Sequence, residues 1–225
     1  MPLKYMLSSL VLLTIAPLSH IPTTVASPPH CDHCHSAPMM ISASPASIAN
    51  FTLSSQGIGF AKLGMTYQQF KTAIGASLKL TIHQNFMVDW DAIDITKDSK
   101  VQYRILYPAG TTFQERDRVT ILQTDNPNYK TDQGIGSGIT IKKAESIYGK
   151  ATLSYNLDNE GREYVRFAKQ PPRMFFRVGN ANMKNTLGGI YAQTRGGFAE
   201  TNKYRDDAKI QSIEITCPPN NCPKF

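Results

Sequence analysis

One short segment of this chain occurs twice, and this repetition constrains the fold more than any other feature of the sequence. The stretch 64–75 reads GMTYQQFKTAIG and the stretch 138–149 reads GITIKKAESIYG, and the residues Gln-Gly-Ile-Gly precede both stretches. Two similar segments predict two similar structural units. The sequence therefore predicts a fold built from two tandem repeats.

Each repeated segment has the pattern of a short amphipathic helix. A threonine stands at the N-cap position, and a glycine ends the segment where a left-handed residue is common. Gln69 is placed to complete a capping box in the first copy, whereas Lys143 lacks the acceptor to do so in the second. Apolar residues recur at spacings of three and four, which predicts that both helices bury the same face. The residues with predicted structural roles are Gly64, Thr66, Gly75, Gly138, Thr140 and Gly149.

After each helix the hydrophobic pattern changes to strict alternation, which is typical of half-buried antiparallel strands. The sequence thus predicts an α+β fold of two tandem repeats, each a short helix packed on its own antiparallel β-sheet. The predicted strands are 78–82, 101–107, 119–121, 152–155, 163–168, 173–178 and 210–216.

Two polar stretches interrupt these strands. The glycine-rich and asparagine-rich stretch 180–202 predicts a long, mobile loop. Four acids surround Trp90, and we expect them to be solvated in turns and at strand edges because they lack the glycine of a calcium loop. These acids are Asp89, Asp91, Asp94 and Asp98.

The N-terminus has the features of an export signal. Lys4 precedes an apolar run over 6–18, and small residues before Ser27 predict cleavage after Ala26. The run is too short and too interrupted to cross a bilayer, which needs about 20 apolar residues. We expect a periplasmic or secreted protein with no transmembrane span in its mature chain.

The composition divides the chain into five parts. They are a signal peptide (1–26), a Cys/His tail with a Ser/Ala/Pro linker (27–50), the first αβ repeat (51–128), the second αβ repeat (129–217), and a C-terminal tail that contains a disulfide loop (218–225).

The chain is moderately basic. Its 24 Lys and Arg residues outnumber its 17 Asp and Glu residues, giving a net charge of +7. Such a charge favours contact with anionic partners and says little about fold. Nucleic acid is not expected as a partner of an exported protein, so we expect another exported or cell-envelope protein.

The four cysteines form two close pairs at opposite ends of the chain. Export permits disulfides. Cys217 and Cys222 flank the turn-forming residues Pro-Pro-Asn-Asn, which predicts a small loop closed by a disulfide.

The other pair lies in the motif CDHCH, which admits three interpretations. Cys31 and Cys34 followed by His35 have the form that attaches c-type haem, with the histidine as an iron ligand. Thiolates and imidazoles, including those of His30 and His33, also suit Zn or Cu. A simple Cys31–Cys34 disulfide needs no cofactor. We expect no cofactor, with haem or metal as the alternatives.

A basic and aromatic stretch between residues 162 and 177 is the other candidate site. In one interpretation its aromatic residues belong to the core and its arginines to a solvated face. In the other it is a docking surface for an acidic partner, since Arg and Tyr are enriched at binding hot spots. The predicted surface residues are Tyr164, Arg166, Arg173 and Arg177.

The element order, with its Gly-Met-Thr helix start and its Ile-Gly or Tyr-Gly helix end, resembles a known fold. It is similar to the outer-membrane assembly lipoprotein BamE and to the tandem-repeat β-lactamase inhibitor proteins, over 54–80 and 131–155 at the level of motifs. The resemblance implies a protein that binds other proteins through the exposed face of its sheet, without a cofactor. The chain differs from the lipoproteins because it lacks a lipidated cysteine.

These observations lead to one functional hypothesis and two alternatives. No catalytic arrangement of residues is evident in the sequence, so we expect a non-enzymatic protein-binding or cell-envelope maintenance module. The first alternative is a c-type haem or metal-binding protein that acts through CDHCH. The second is an inhibitor of a secreted hydrolase.

Overall fold

The structure is a computed structural model that describes residues 50–183, 185–192, 197–218 and 221–223. The predicted signal peptide and nearly all of the predicted tail and linker lie outside these residues. The candidate haem or metal ligands Cys31, Cys34, His30, His33 and His35 lie outside them as well.

The described residues form two α-helices, twelve β-strands and one 3-10 turn over Leu157–Asn159. The helices are α1 (Tyr67–Ile74) and α2 (Ile141–Tyr148). The strands are β1 (Leu53–Ser54), β2 (Gly57–Ile58), β3 (Ala61–Lys62), β4 (Lys79–Met87), β5 (Trp90–Lys97), β6 (Lys100–Pro108), β7 (Ile121–Thr124), β8 (Ala151–Asn156), β9 (Arg162–Phe167), β10 (Met174–Asn180), β11 (Phe198–Thr201) and β12 (Ser212–Thr216).

Both helices begin at a threonine N-cap, and the two caps differ in one bond. The Thr66 hydroxyl accepts the Gln69 N–H at 3.2 Å, and the Gln69 side chain accepts the Thr66 N–H at 2.8 Å. In α2 the Thr140 hydroxyl accepts the Lys143 N–H at 3.2 Å. A lysine side chain carries no acceptor, so this cap has no reciprocal bond.

The chain just before each helix is held in the same way in both places. A glycine before the helix donates its N–H to the carbonyl of a residue that lies shortly before β7 or β12. The first residue of the helix donates its N–H to the carbonyl of the residue two positions before that acceptor. The four bonds are Gly64 to Val119 (2.7 Å), Tyr67 to Asp117 (2.9 Å), Gly138 to Ile210 (2.8 Å) and Ile141 to Ala208 (2.9 Å).

The larger sheet is antiparallel and continuous, with the strand order β11-β8-β9-β10-β12-β7-β6-β5-β4. The sequence predicts a separate sheet for each helix, and the structure instead joins the strands through β7 and β12. In this central pair Leu122 lies opposite Ile215, and Gln123 lies opposite Glu214. Pairing these strands satisfies backbone groups that two separate sheets would leave on exposed edges. A small second sheet contains β1, β2 and β3.

The core lies between the helices and one face of the nine-stranded sheet. Phe70 and Ile74 of α1 and Ile141 and Tyr148 of α2 belong to the same buried cluster. The sheet contributes alternate residues from its strands to that cluster, as expected when one face is covered and side chains alternate. These residues include Ile93, Ile95, Tyr103, Ile105, Leu122, Ile213, Ile215, Phe176, Val165, Phe167 and Leu153.

The sequence predicts a long loop over 180–202, and the structure instead forms β11 from residues near the end of this stretch. This strand pairs with β8 and makes one edge of the large sheet. The stretch around Trp90 also differs from the prediction, because most of it is strand β5, in the interior of the sheet between β4 and β6.

The predicted disulfide between Cys217 and Cys222 is present and closes a short loop directly after β12. Its Cα atoms are 5.2 Å apart. In the part of the chain that the structure describes, no helix has the length and apolar character needed to cross a membrane.

Candidate binding surface

The face of the nine-stranded sheet opposite the helices, here called the open face, is mostly polar. Residues paired across neighbouring strands share a face. The strand registers therefore place one row of side chains across β5, β6, β7, β12 and β10, which consists of Asp94, Arg104, Gln123, Glu214 and Phe175. Phe175 is 47% exposed, so part of this face is accessible to a partner.

An arginine patch formed by Arg162, Tyr164, Arg177 and Glu214 lies at one side of the open face. Tyr164 of β9 pairs directly with Arg177 of β10. Burial raises the pKa of Glu214, and the positive charges of Arg162 and Arg177 act in the opposite direction. Burial and the negative charge of Glu214 also raise the pKa of Tyr164, and the positive charges of Arg162 and Arg177 act in the opposite direction. The patch is thus a partly desolvated group of opposite charges.

The structure brings together two of the four predicted surface residues. Tyr164 and Arg177 are in register, and Arg166 is exposed on β9 two residues beyond Tyr164. Arg173 instead lies in the turn before β10, where its φ is 65° and its carbonyl accepts the Thr216 N–H at 3.1 Å. It therefore lies just before β10, whereas Arg177 lies at the middle of that strand.

The patch also contains residues that the sequence did not single out. Arg162 belongs to the basic stretch and lies two residues before Tyr164. Residues two apart in a strand lie on the same face of the sheet, so this spacing predicts that Arg162 and Tyr164 share a face. The Arg162 side chain is only 6% exposed and forms an ion pair with Glu160. Glu214 comes from β12, and no local pattern connects it to β9.

The tip of the β4–β5 hairpin (85–88) lies over the open face. The strand register shifts between His83 and Met87, and Asn85 has a φ of 53°. The Phe86 ring centroid is 4.9 Å from the Arg104 guanidinium carbon, and the Met87 sulfur is 4.0 Å from Arg177 Nη1. The hairpin tip thus extends from the β4 edge of the sheet to the arginine patch.

Asp91 holds the hairpin tip in place, which corrects the prediction that this acid is solvated. The residue is 3% exposed. One carboxylate oxygen accepts the Asn85 N–H at 2.7 Å, and the other accepts the Gly110 N–H at 3.1 Å. Asn85 precedes Asp91 in sequence and Gly110 follows it. The alternation of apolar and polar residues along β5 therefore does not reveal that Asp91 binds both of them. Asp89 and Asp98 are exposed, as predicted.

Asp94 is half-buried and belongs to an ion-pair network on the open face. Its carboxylate lies 3.0 Å from Arg104 Nε and 3.3 Å from His83 Nδ1. Arg104 also contacts Asp125 at 3.0 Å. His83 itself is exposed, as its position in the alternation predicts.

A cleft of about 640 Å³ separates the hairpin tip from the second half of the sheet. We call it the open-face cleft. Its lining residues are Asn85, Phe86, Met87, Val88, Glu160, Arg177, Asn180 and Met183.

Glu163 is a fully buried acid on the helix-facing side of the sheet. Its carboxylate accepts the N–H groups of Gly188 and Gly189, both at 2.7 Å, and the hydroxyl of Tyr191 at 2.8 Å. It therefore holds residues 188–191, which lie between β10 and β11 in sequence. The paired glycines are visible in the sequence, but their partner on β9 is not.

A second cavity, of about 860 Å³, lies beside the end of α2. Its walls come from the first described segment, the residues that follow Tyr129, and the turn between β9 and β10. Thr131 and Tyr148 lie in its wall and form a buried hydroxyl pair at 3.0 Å, so the two polar groups satisfy each other.

The described ranges contain no group of three or more His, Cys, Asp or Glu side chains arranged to hold a metal ion. This finding concerns the described ranges alone, and the CDHCH motif lies outside them.

Comparisons with known proteins give one structural similarity. No protein-family model matches the chain, and no curated protein matches it. The chain is similar to the crystal structure of the uncharacterized protein yfeY from Escherichia coli, with a TM-score of 0.44 and 13% sequence identity, over 74% of this chain and 99% of that chain.

Proposed function

We propose that the chain is an exported, non-enzymatic protein-binding or cell-envelope maintenance module that binds its partner on the open face of the sheet. This proposal is based mainly on the partly desolvated arginine patch, which lies beside the exposed Phe175. Arginine and aromatic residues that are partly removed from water are typical of binding hot spots. The basic charge of the chain supports an acidic partner.

We further propose that the fold arose as two tandem repeats. The repeated helix starts are anchored by equivalent bonds, from Gly64 to Val119 and from Gly138 to Ile210. Each helix is followed by a meander of three strands, and β7 and β12 complete the two halves by pairing with each other. A two-part sheet of this kind supplies one wide surface on which a partner can contact both halves.

The disulfide at Cys217 and Cys222 supports a periplasmic or secreted location, because such bonds persist in oxidising compartments.

The proposal is tested by position-specific photo-crosslinking in the native host. A photo-crosslinking amino acid replaces Phe175 on the open face, and the control replaces Lys142, which is exposed on α2. We expect a discrete crosslinked protein from the first position and none from the second. Crosslinking of the same proteins from both positions, or of none from Phe175, would contradict the proposal.

A charge-reversal variant sharpens the test. Arg166→Glu combined with Arg177→Glu is expected to remove the crosslink at Phe175, because both side chains share its face. The matched variant Lys142→Glu is expected to keep it. Circular dichroism of each purified variant shows whether the fold is retained.

The alternative function through CDHCH is tested by the intact mass of the protein purified from its own host. Covalently attached haem adds its mass to the chain, whereas a disulfide removes two hydrogens. A mass that includes haem would replace the binding proposal with a redox function.

A further inference from the structure

Strand β4 is one edge of the nine-stranded sheet, and in the described ranges β5 is the only strand that pairs with it. The pairing with β5 is regular over residues 79–83. The register shifts before Met87, where the chain turns into the hairpin tip that lies over the open face. A regular edge strand presents a row of free backbone groups that another strand can bind.

The backbone groups of Leu80 and Ile82 point away from β5. The Lys79 carbonyl accepts the Thr96 hydroxyl at 3.2 Å, so this carbonyl is directed toward β5. Successive residues of an antiparallel strand direct their N–H and C=O groups to opposite sides. Leu80 and Ile82 therefore direct both of their backbone groups to the outer side of the sheet. None of these groups has a hydrogen-bond partner in the part of the chain that the structure describes.

The side chains of the same two residues form an apolar row on the helix side of β4. Leu80 lies opposite Ile95 of β5, and Ile82 lies opposite Ile93. Both residues of β5 are buried in the core, and Leu80 packs against that core, whereas Ile82 is 66% exposed. Proline and charged residues that point toward the core protect many edge strands from pairing. Residues 79–83 contain neither on the helix side, so this edge is open to a partner strand.

The edge is complementary to itself. When two copies pair antiparallel about a two-fold axis at Thr81, Leu80 of each copy lies opposite Ile82 of the other. Thr81 then lies opposite Thr81, and Lys79 lies opposite His83 on the polar side of the strand. Apolar pairs and threonine pairs stabilise neighbouring strands. Because this contact uses the same edge in both copies, it closes after two of them.

We propose that β4 binds β4 of a second copy of this chain and joins two nine-stranded sheets into one. Leu80 of each copy exchanges both backbone hydrogen bonds with Ile82 of the other, which pairs the free groups of both edges. The exposed Ile82 side chains are covered by the Leu80 side chains opposite them. Residues paired across strands share a face, so both open faces lie on the same side of the joined sheet. This inference goes beyond the proposed function, because it concerns the edge of the sheet.

The contact is small, since it is centred on residues 79–83 of each copy, and small interfaces are typical of weak complexes. We expect a dissociation constant on the order of 10 µM. Analytical ultracentrifugation of the mature protein, from below this concentration to about tenfold above it, should show the average mass rise from monomer to dimer. A mass that stays at the monomer would overturn the proposal. A strand from another protein, or from residues 27–49 of the same chain, would give that result if it covered the edge.

A pair of variants tests whether the edge forms the contact. Ile82→Lys places a charge in the apolar row and is expected to weaken dimerisation by roughly tenfold or more. The matched control is Val88→Lys, which changes an apolar residue that is 76% exposed at the turn after β4. It is expected to dimerise as the unchanged protein does. Circular dichroism shows whether each variant keeps its fold, and equal dimerisation of the two variants would refute the edge contact.

A disulfide tests the register. In the proposed pairing, the two Thr81 residues face each other at a position without backbone hydrogen bonds, where Cα atoms are about 4.5 Å apart. A disulfide spans this distance. Thr81→Cys, combined with Cys31→Ser and Cys34→Ser, is expected to give a covalent dimer on oxidation, as seen by non-reducing electrophoresis. Lys79→Cys in the same background is the control, because its two copies lie about 13 Å apart along the strands. Equal crosslinking of both variants, or of neither, would overturn the proposed pairing.

Discussion

The two halves of the sheet share their helix anchors and differ in what they add to them. Both helices begin at a threonine after a glycine with positive φ, and the same backbone bonds hold both glycines. The first half adds a long hairpin whose tip lies over the open face. The second half adds β11 and the segment that leads to it. The common part therefore builds the core, and the added parts shape the surface.

Each addition is held by one buried acid that accepts backbone N–H groups. Asp91 binds the hairpin tip and the turn after β6, and Glu163 binds the paired glycines before β11. An ionised carboxylate forms strong hydrogen bonds and suffers a large penalty if it loses them inside the protein. A buried carboxylate therefore stabilises each addition to the common fold.

The largest expected effect comes from Glu163→Ala. The change leaves the N–H groups of Gly188 and Gly189 and the Tyr191 hydroxyl without their acceptor, and it should lower the free energy of unfolding by about 4 kcal/mol. Urea denaturation measures the loss. The matched control is Glu200→Gln, an exposed acid on β11, which should change stability little. Equal stability of the two variants would show that the carboxylate is not an anchor.

The equivalent glycines Gly64 and Gly138 should respond differently to alanine. A Cβ at Gly64 would lie 1.8 Å from the Pro223 carbonyl oxygen, whereas a Cβ at Gly138 meets nothing within 4 Å. Both have positive φ, which costs an alanine about 1 kcal/mol, and the clash should raise the cost of Gly64→Ala to about 3 kcal/mol. Thermal unfolding of both variants compares them, and equal midpoints would mean that the C-terminal segment does not pack on Gly64.

Asp91→Ala should release the hairpin tip at a cost of about 2 kcal/mol, because two backbone donors lose a buried acceptor. Trp90, the single tryptophan of the chain, lies next to Asp91, so its fluorescence emission should shift as the tip moves. Asp89→Ala, an exposed neighbour, is the control. An unchanged emission spectrum in Asp91→Ala would contradict the anchoring role.

The smallest expected difference separates the two helix caps. Thr66→Ala and Thr140→Ala should each cost about 1 kcal/mol, since both remove an N-cap acceptor. Thr66→Ala should cost slightly more, because Gln69 also loses the geometry of the capping box. Urea denaturation of the pair tests this order, and a larger loss at Thr140 would reverse it.

Local patterns in the sequence predict the local parts of this structure. The helix limits at Thr66 and Gly75 depend on side chains within one turn, and the alternating strands depend on a period of two. The sequence-based prediction for the stretch around Trp90 is wrong, because its acids resemble turn residues whereas most of the stretch is strand β5. Asp91 is buried, and its carboxylate accepts the N–H groups of Asn85 and Gly110, which a local pattern does not place beside it.

The candidate site was less predictable than the fold for the same reason. Alternation places Tyr164 and Arg166 on one face, and the basic stretch identifies Arg177. The contribution of Glu214 and the crossing of the hairpin tip depend on contacts between residues far apart in sequence. The pairing of β7 with β12 also depends on residues far apart in sequence. Without it both strands would be sheet edges with unpaired backbone groups, and the repeat in the sequence does not reveal that the two edges pair with each other.

The position of β12 has a consequence for the order of folding. Its residues follow those of all the other strands of the large sheet in sequence, yet the strand lies at the middle of that sheet with β7 and β10 as neighbours. The earlier strands can pair as hairpins with their neighbours in sequence, but the two halves of the sheet are joined only when residues 212–216 pair with β7. This joining depends on contacts between residues far apart in sequence, so it is expected to follow the formation of the local hairpins.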